Sequence, residues 1–442
     1  MGINDLATEL LLEILAHVAA IQDNTIQRKT LVSLNLSTKR LHQASSALLY
    51  QTVSITDHID RLPLLLRSTC RHPYLASQIH ALELPSWKPS FRFDPATESS
   101  TNISAEDKHL FLESARAIGL EKGVHAGFSN QERLSQSWLD ALSEGLDSAL
   151  ILLLLFQMRN IRHLSLPFVE NDIIRWDVLE KDLPFLESVA IRARVHDSDP
   201  LRRTASMCSL ASLKRLTAFS YVNARLSHDV SAQKISTSLT SLSFHNCSFS
   251  GRRLPLISII RNSGSLERLA LTRTDWNSSE ERQFTYHLIA SALLTRKDTL
   301  KCLTLTGISP WDDFYAHSTN FSDLFTRFHK LEALEVYFRT LVRTREAYGG
   351  RAIELVLPSS LQSLTIRMGP SPYPASRRVN CHLKLLAKAV ETQNYVPQLR
   401  ELWVDKVPAS YSERGISTLE GNVRVFRDLG INLMLMEPMF QP

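Results

Sequence analysis

The stretch LTSLSFHNC, residues 239–247, decides how this chain reads. Leu239, Leu242 and Phe244 hold the first, fourth and sixth places of an apolar pattern, Leu-x-x-Leu-x-Leu. With Ile, Val or Phe allowed at those places, the pattern also opens at Ile79, Ile161, Leu186, Leu213, Leu266, Leu300, Leu331, Leu361 and Leu399. From Ile161 onward the steps are 25, 27, 26, 27, 34, 31, 30 and 38 residues. Leu213 opens the weakest copy, LKRLTA, because Ala218 stands at its last apolar place. Alternate residues of an extended chain point to opposite sides, so the fourth and sixth places face one side together. Each copy therefore predicts one short strand.

The residues between copies read as helical. Ile257 and Ile260 lie three apart, and Gly264 stands where a glycine ends a helix. Ser278 and Glu281 have capping-box spacing ahead of Phe284, Leu288 and Ala292. Leu383, Leu386, Ala387 and Val390 make another helical stripe. A strand and a helix per repeat predict an α/β fold whose units bury their apolar faces only by stacking. The pattern resembles a leucine-rich repeat solenoid, a curved parallel sheet with helices on its convex side. Cys247 falls at that pattern's Asn/Cys place, and Ile431 to Leu435 reads as a closing strand. The repeats are expected over 161–436.

Residues 54–160 read as a connecting region that holds the first strand. Ser86 to Ser104, rich in Pro, Ser and Thr, is expected to be a loop. Trp138, Leu142, Leu146 and Leu150 follow at four-residue steps and predict a helix ending near Asn160. A second loop is expected at Gly369 to Arg378, which carries three prolines.

Composition excludes several classes. At 44% hydrophobic and 21% charged residues, the chain can bury a core and is not wholly disordered. Its longest apolar run, Ala149 to Phe156, is eight residues, against about 20 for a membrane span. Met1 to Glu13 holds three carboxylates and no Lys or Arg, the opposite of a signal peptide. These features predict a chain of the cytoplasm or nucleus. Five scattered cysteines without a CxxC pair support neither zinc nor redox use, and the sequon at Asn277 is then incidental. A net charge of +5 without a dense basic stripe argues against nucleic acid as a partner.

Residues 1–53 hold no copy of the repeat. Leu10, Leu11, Ile14, Leu15 and Val18 cover about 140° of a helix, wide enough for a core stripe. A polar stretch, Gln22 to Lys29, separates them from Leu31, Val32 and Leu34. Ser37 or Thr38 can then cap a helix bearing Leu41, Ala44 and Leu48. Three such short helices are marginal alone, so their surplus apolar surface predicts packing on a partner or on the rest of the chain.

LATELLLEILAHV followed by LVSLNLSTKRLHQASSALLYQTV resembles an F-box. Leu6, Glu9, Leu10, Leu11 and Ile14 match the opening of that motif, and Lys39, Arg40 and Leu41 match its later basic and apolar places. Ala7 departs from it, where the family has a proline that presets the first helical turn. With the helix and strand SALILLLLFQMRNIRHLSL, the whole arrangement is similar to fungal F-box/leucine-rich repeat proteins. The resemblance implies that Leu6, Glu9, Leu10, Leu11, Ile14 and Leu41 bind a Skp-type adaptor, and through it a cullin–RING ubiquitin ligase. It also implies that the repeats select a protein substrate.

A catalytic constellation is not legible. The chain has no HExxH, GxSxG, P-loop or GxGxxG opening a helix, and Asp312-Asp313 reads as a solvated loop. No cofactor is expected. Recognition needs only a surface, and strand alternation supplies one. Arg192, Arg215 and Arg268 are expected there to meet an acidic or phosphorylated segment, since Arg binds such groups in bidentate fashion. Tyr337 and Trp403 are expected as aromatic anchors beside Arg367. The function expected is a non-catalytic receptor of a Skp–cullin–F-box ligase. The alternatives are a repeat scaffold whose N-terminal helices cap the stack, and a nucleic-acid-associated protein.

Overall fold

The computed structural model describes residues 6–21, 24–55, 61–84, 103–119, 131–145, 147–167, 183–192, 213–222, 225–227, 238–250, 255–272, 275–276, 288–306, 324–341, 356–368, 375–392, 396–405 and 413–436. The fold is α/β, built on a twelve-stranded, all-parallel sheet whose strands follow chain order. The chain divides into two units, Met1–Arg194 and Val195–Pro442. Among the described residues, no helix is long and apolar enough to cross a membrane.

The first unit opens with α1 (Thr8–Ala19), α2 (Asn24–Ser37) and α3 (Lys39–Gln51). Helix α2 takes in most of the polar stretch expected to separate helices. Thr38 caps α3, its hydroxyl accepting from the Leu41 amide at 3.2 Å. Helix α1 packs on α2 and α3. Helix α3 runs without a linker into β1 (Thr52–Ser54), so the expected boundary at residue 53 falls inside a strand. After α4 (Leu62–Arg71) and α5 (Pro73–Gln78) comes β2 (Ala81–Glu83). Then come α6 (Ala105–Ala117), α7 (Gln131–Glu144), α8 (Asp147–Gln157), β3 (His163–Pro167) and β4 (Ser188–Arg192). Parallel pairing of β1 to β4 sets Val53, Leu82, Leu164 and Val189 in one buried row.

The apolar run Ala149 to Phe156 lies in α8 and is buried on every side, which is why it shows no polar face. Helix α8 packs against α4, α5 and α7. The single helix expected through Trp138 and Leu150 is instead two. Gly145, at φ +77°, ends α7 in a conformation that lacks a steric penalty only for glycine. Leu146 lies outside the described residues. So does the expected loop at Ser86 to Ser104, apart from Ile103 and Ser104.

Helix α6 is held to α4 by charge. The Asp107 carboxylate is buried and accepts from both Nε (2.6 Å) and Nη2 of Arg67. It also accepts from the Ser104 hydroxyl at 2.8 Å, and that hydroxyl accepts from the Asp107 amide at 3.1 Å, capping the helix. Arg67's hydrogen bonds hold the Asp107 pKa below the usual carboxylate value, against the opposing effect of burial. The stability this contributes is present above the ordinary aspartate range. It is lost as pH falls through the depressed folded pKa. Asp107→Asn is therefore expected to lower urea resistance at pH 7 and to differ less from wild type near pH 3. Ser104→Ala is expected to cost about 1 kcal/mol at either pH.

The second unit holds β5 (Ala218–Val222), β6 (Arg225–Ser227), β7 (Ser241–His245), β8 (Ser248–Ser250), β9 (Arg268–Thr272), β10 (Asp275–Trp276), β11 (Cys302–Leu305), β12 (Ala333–Tyr337), β13 (Ser363–Arg367), β14 (Glu401–Asp405) and β15 (Asn432–Met436). Strands β6, β8 and β10 pair in a separate parallel sheet. In the large sheet the pattern's fourth place forms one buried row: Phe219, Leu242, Leu269, Leu303, Leu334, Leu364, Leu402 and Leu433. Its sixth place forms a second row, from Tyr221 and Phe244 to Val404.

The copy assigned to Leu213 is corrected by these registers. Phe219 pairs with Leu242 and Tyr221 with Phe244, so the pattern there opens at Leu216, as LTAFSY. The backbone says the same. In other copies, as at His80, Arg162, Lys301, Glu332 and Gln362, the carbonyl of the second residue accepts two amides from the next copy. Thr217 accepts from Thr240 (2.8 Å) and Ser241 (2.9 Å), and Thr240 accepts from Glu267 and Arg268. Leu213 is buried as well, one turn earlier, and tyrosine had not been counted among the apolar residues.

Outside the sheet lie α9 (Pro255–Asn262), a helical segment at 288–294, α10 (Phe338–Leu341), α11 (Ala375–Glu391) and α12 (Glu413–Asp428). Helix α11 begins inside the loop expected at Gly369 to Arg378, and Ser278 and Glu281 lie outside the described residues. Arg296 ties off the C-terminal end of α9, donating Nε to the Ile260 carbonyl (3.0 Å), Nη1 to Gly264 (3.2 Å) and Nη2 to Arg261. A cation suits the carbonyl end of a helix. Arg296→Ala is expected to cost about 1 kcal/mol in urea denaturation.

Candidate docking face and exposed strand face

Helix α1 separates its leucines by position. Leu11 and Leu15, four apart, are 1% and 0% exposed and form its inner side. Leu10 (48%) and Ile14 (38%), also four apart, stay in solvent, and Leu12 is exposed on another side. Ala7, in extended conformation, precedes the helix without a side-chain cap, and Glu9 supplies the acidic first turn. Helix α2 repeats the division: Leu31 is buried, whereas Ile26, Val32 and Leu36 (80%) are exposed. Six of the eleven exposed large apolar residues among those described lie on these two helices. Polar contacts fix the framework beneath them. Gln27 donates to the Ala19 carbonyl at 2.5 Å, and Asn35 donates to the Ser46 hydroxyl at 2.9 Å.

Of the six residues expected to bind an adaptor, Glu9, Leu10 and Ile14 are exposed, and Leu6 is half-buried. Leu11 and Leu41 are corrected to core residues. Both are about as inaccessible as the sheet leucines, because α1 and α3 pack through them. Leu12, Ile26 and Leu36 are exposed apolar residues that the sequence pattern did not single out. The signal was an apolar residue off the buried stripe of its own helix.

The strand face is less basic than expected. Arg192, exposed at the end of β4, has Nη2 3.2 Å from Glu83 Oε1. Arg215 is exposed in the turn ahead of β5, not on the strand, as the shifted register requires. Arg268 is exposed at the start of β9, opposite Ser241 and Cys302. Tyr337 is buried and offers no anchor. Arg367 is held by two carboxylates: Nε lies 2.7 Å from Glu335 and Nη1 2.9 Å from Asp405. Nη1 is also 3.7 Å from the Met436 sulfur, and the Met368 amide donates to Asp405 at 3.1 Å. Burial pushes Asp405 above the usual carboxylate range despite Arg367. Burial also works against the Arg367 charge, but hydrogen bonds to Glu335 and Asp405 outweigh it and raise the Arg367 pKa. Trp403 is half-buried in the middle of β14. The face thus brings Arg367, Glu335, Asp405 and Trp403 onto neighbouring strands and leaves Arg215 outside.

His245 lies on the same kind of face, with Nε2 2.5 Å from the Ser243 hydroxyl and Nδ1 2.5 Å from that of Thr272. Burial lowers its pKa, so it is a neutral polar link between β7 and β9. Cys247, fully buried, donates weakly to the Tyr221 and His245 carbonyls at 3.5 and 3.4 Å.

No model of a known protein family matches the chain, and no curated protein matches it.

Proposed function

We propose that this chain is the non-catalytic substrate receptor of a Skp–cullin–F-box ubiquitin ligase. The observation that carries this reading is the division on α1, where Leu10 and Ile14 stay in solvent while Leu11 and Leu15 make the core. A small helical bundle that leaves apolar residues uncovered on two helices is suited to a partner. The resemblance to an F-box names that partner as a Skp-type adaptor and, through it, a cullin. The large sheet, with its in-register apolar rows, is read as a leucine-rich repeat solenoid whose open strand face holds substrate. The mechanism is proximity: a tethered substrate meets the ubiquitin-loaded enzyme at raised effective concentration. No residue of the chain carries covalent chemistry in this reading. The compartment would be the cytoplasm or nucleus, where such ligases work.

The direct passage of α3 into β1 favours a second reading, a repeat scaffold whose helices only cap the stack. Capture of purified Skp-type adaptor by the full chain separates the two. Stoichiometric capture supports the receptor; its absence leaves the scaffold.

A further inference from the structure

The exposed side of β12 to β15 departs in sign from the chain that bears it. The whole chain carries +5. These four strands carry three carboxylates, Glu335, Glu401 and Asp405, against one guanidinium, Arg367. Arg367 is committed to Glu335 and Asp405 and is largely shielded, with a side chain 13% exposed. It is not available to an anionic ligand. Glu401 remains exposed, with the Ser363 hydroxyl 3.4 Å from its Oε2. Trp403 follows two residues later, half-buried. Alternate residues of a strand share a face at a spacing of about 6.6 Å, so Glu401 and Trp403 stand side by side on β14. The register sets uncharged residues on either side of Trp403, Thr365 on β13 and Met434 on β15.

An indole face attracts a cation within about 6 Å of its centre. A carboxylate at the neighbouring place on the same face adds Coulomb attraction, modest because Glu401 is exposed to solvent. We propose that this face binds a Lys- or Arg-bearing segment of the substrate protein, its cationic head over Trp403 and toward Glu401. The inference deepens the receptor reading and rests on it for the word substrate. The acidic or phosphorylated segment was expected at Arg192, Arg215 and Arg268, outside these strands; the one arginine here, Arg367, is already neutralised.

The test uses the full chain and two fluorescein-labelled synthetic peptides, one of alternating Ser and Lys, the other of alternating Ser and Glu. Fluorescence anisotropy is expected to show binding of the Lys peptide and none of the Glu peptide. Trp403→Ala and Glu401→Lys are each expected to weaken the Lys peptide about tenfold or more, and Trp403→Phe, which keeps a ring and guards against misfolding, to weaken it less than Trp403→Ala. Equal binding by wild type and the variants, no binding of the Lys peptide, or preference for the Glu peptide would overturn the proposal. The same preparations are tested for adaptor capture, which the strand variants should retain. Failure of wild type to capture adaptor would remove the receptor reading and leave the cation site to stand on the peptide result alone.

Discussion

The full chain carrying Leu10→Asp and Ile14→Asp is expected to lose adaptor capture by about 100-fold or more while keeping its fold. Both side chains are exposed in the free chain and lie off the buried pair Leu11 and Leu15, so replacing them removes little internal packing. Surface substitutions of this kind usually change stability by within about 0.5 kcal/mol. At an interface the balance reverses. Fully burying a Leu or Ile side chain contributes about 1.5–3 kcal/mol each, and 1.4 kcal/mol is tenfold in affinity. With 48% and 38% of these side chains left to bury, the two losses together reach about 10- to 80-fold, and the cost of desolvating two aspartates carries the effect to about 100-fold. Leu11→Asp is the contrasting control. It places a charge in the bundle's core and is expected to unfold α1–α3, seen as a lowered thermal midpoint. Capture by the double variant at wild-type strength would remove α1 as the docking element.

Phe244→Ala is expected to destabilise the second unit by about 3–5 kcal/mol. Phe244 is fully buried in β7, edge-on to Phe219 at 6.4 Å between ring centres, and pairs in register with Tyr221 and Leu271. Truncation forfeits the transfer free energy of the ring and leaves a cavity that parallel neighbours on both sides cannot close. Ser243→Ala, one residue away on the opposite side, loses only a hydroxyl contact with His245 and is expected to cost about 1 kcal/mol. Urea denaturation of the two variants distinguishes a buried row from an exposed one. Similar costs at 243 and 244 would contradict the alternation of the strand.

Much of the sheet was legible because its two buried rows recur in the chain at fixed offsets. A parallel strand flanked by others has no choice about which residues it buries, so Leu-x-x-Leu-x-Leu wrote nine strands of the large sheet within a residue or two, while β1, β6, β8 and β10 carry no copy. The copy at Leu213 failed for a local reason. Leu213 and Leu216 are both buried three apart, and Phe219 and Tyr221 do the work of leucines. On α1 the same ambiguity mattered more. Leu10, Leu11, Ile14 and Leu15 read as one stripe about 140° wide, and only packing against α2 and α3 told which pair faces inward.

The sequence by itself determined the α/β class, the strand of each repeat and the capped start of α3, because periodicity and capping act between residues close in the chain. Only the tertiary structure decided that Arg367 is spent on Glu335 and Asp405, that Tyr337 is buried, and that Asp107 fastens α6 to Arg67. Those pairings join residues 32, 38 and 40 positions apart. Whether a charge is free or compensated depends on which strands and helices stack, and stacking is a property of the whole fold rather than of any local pattern.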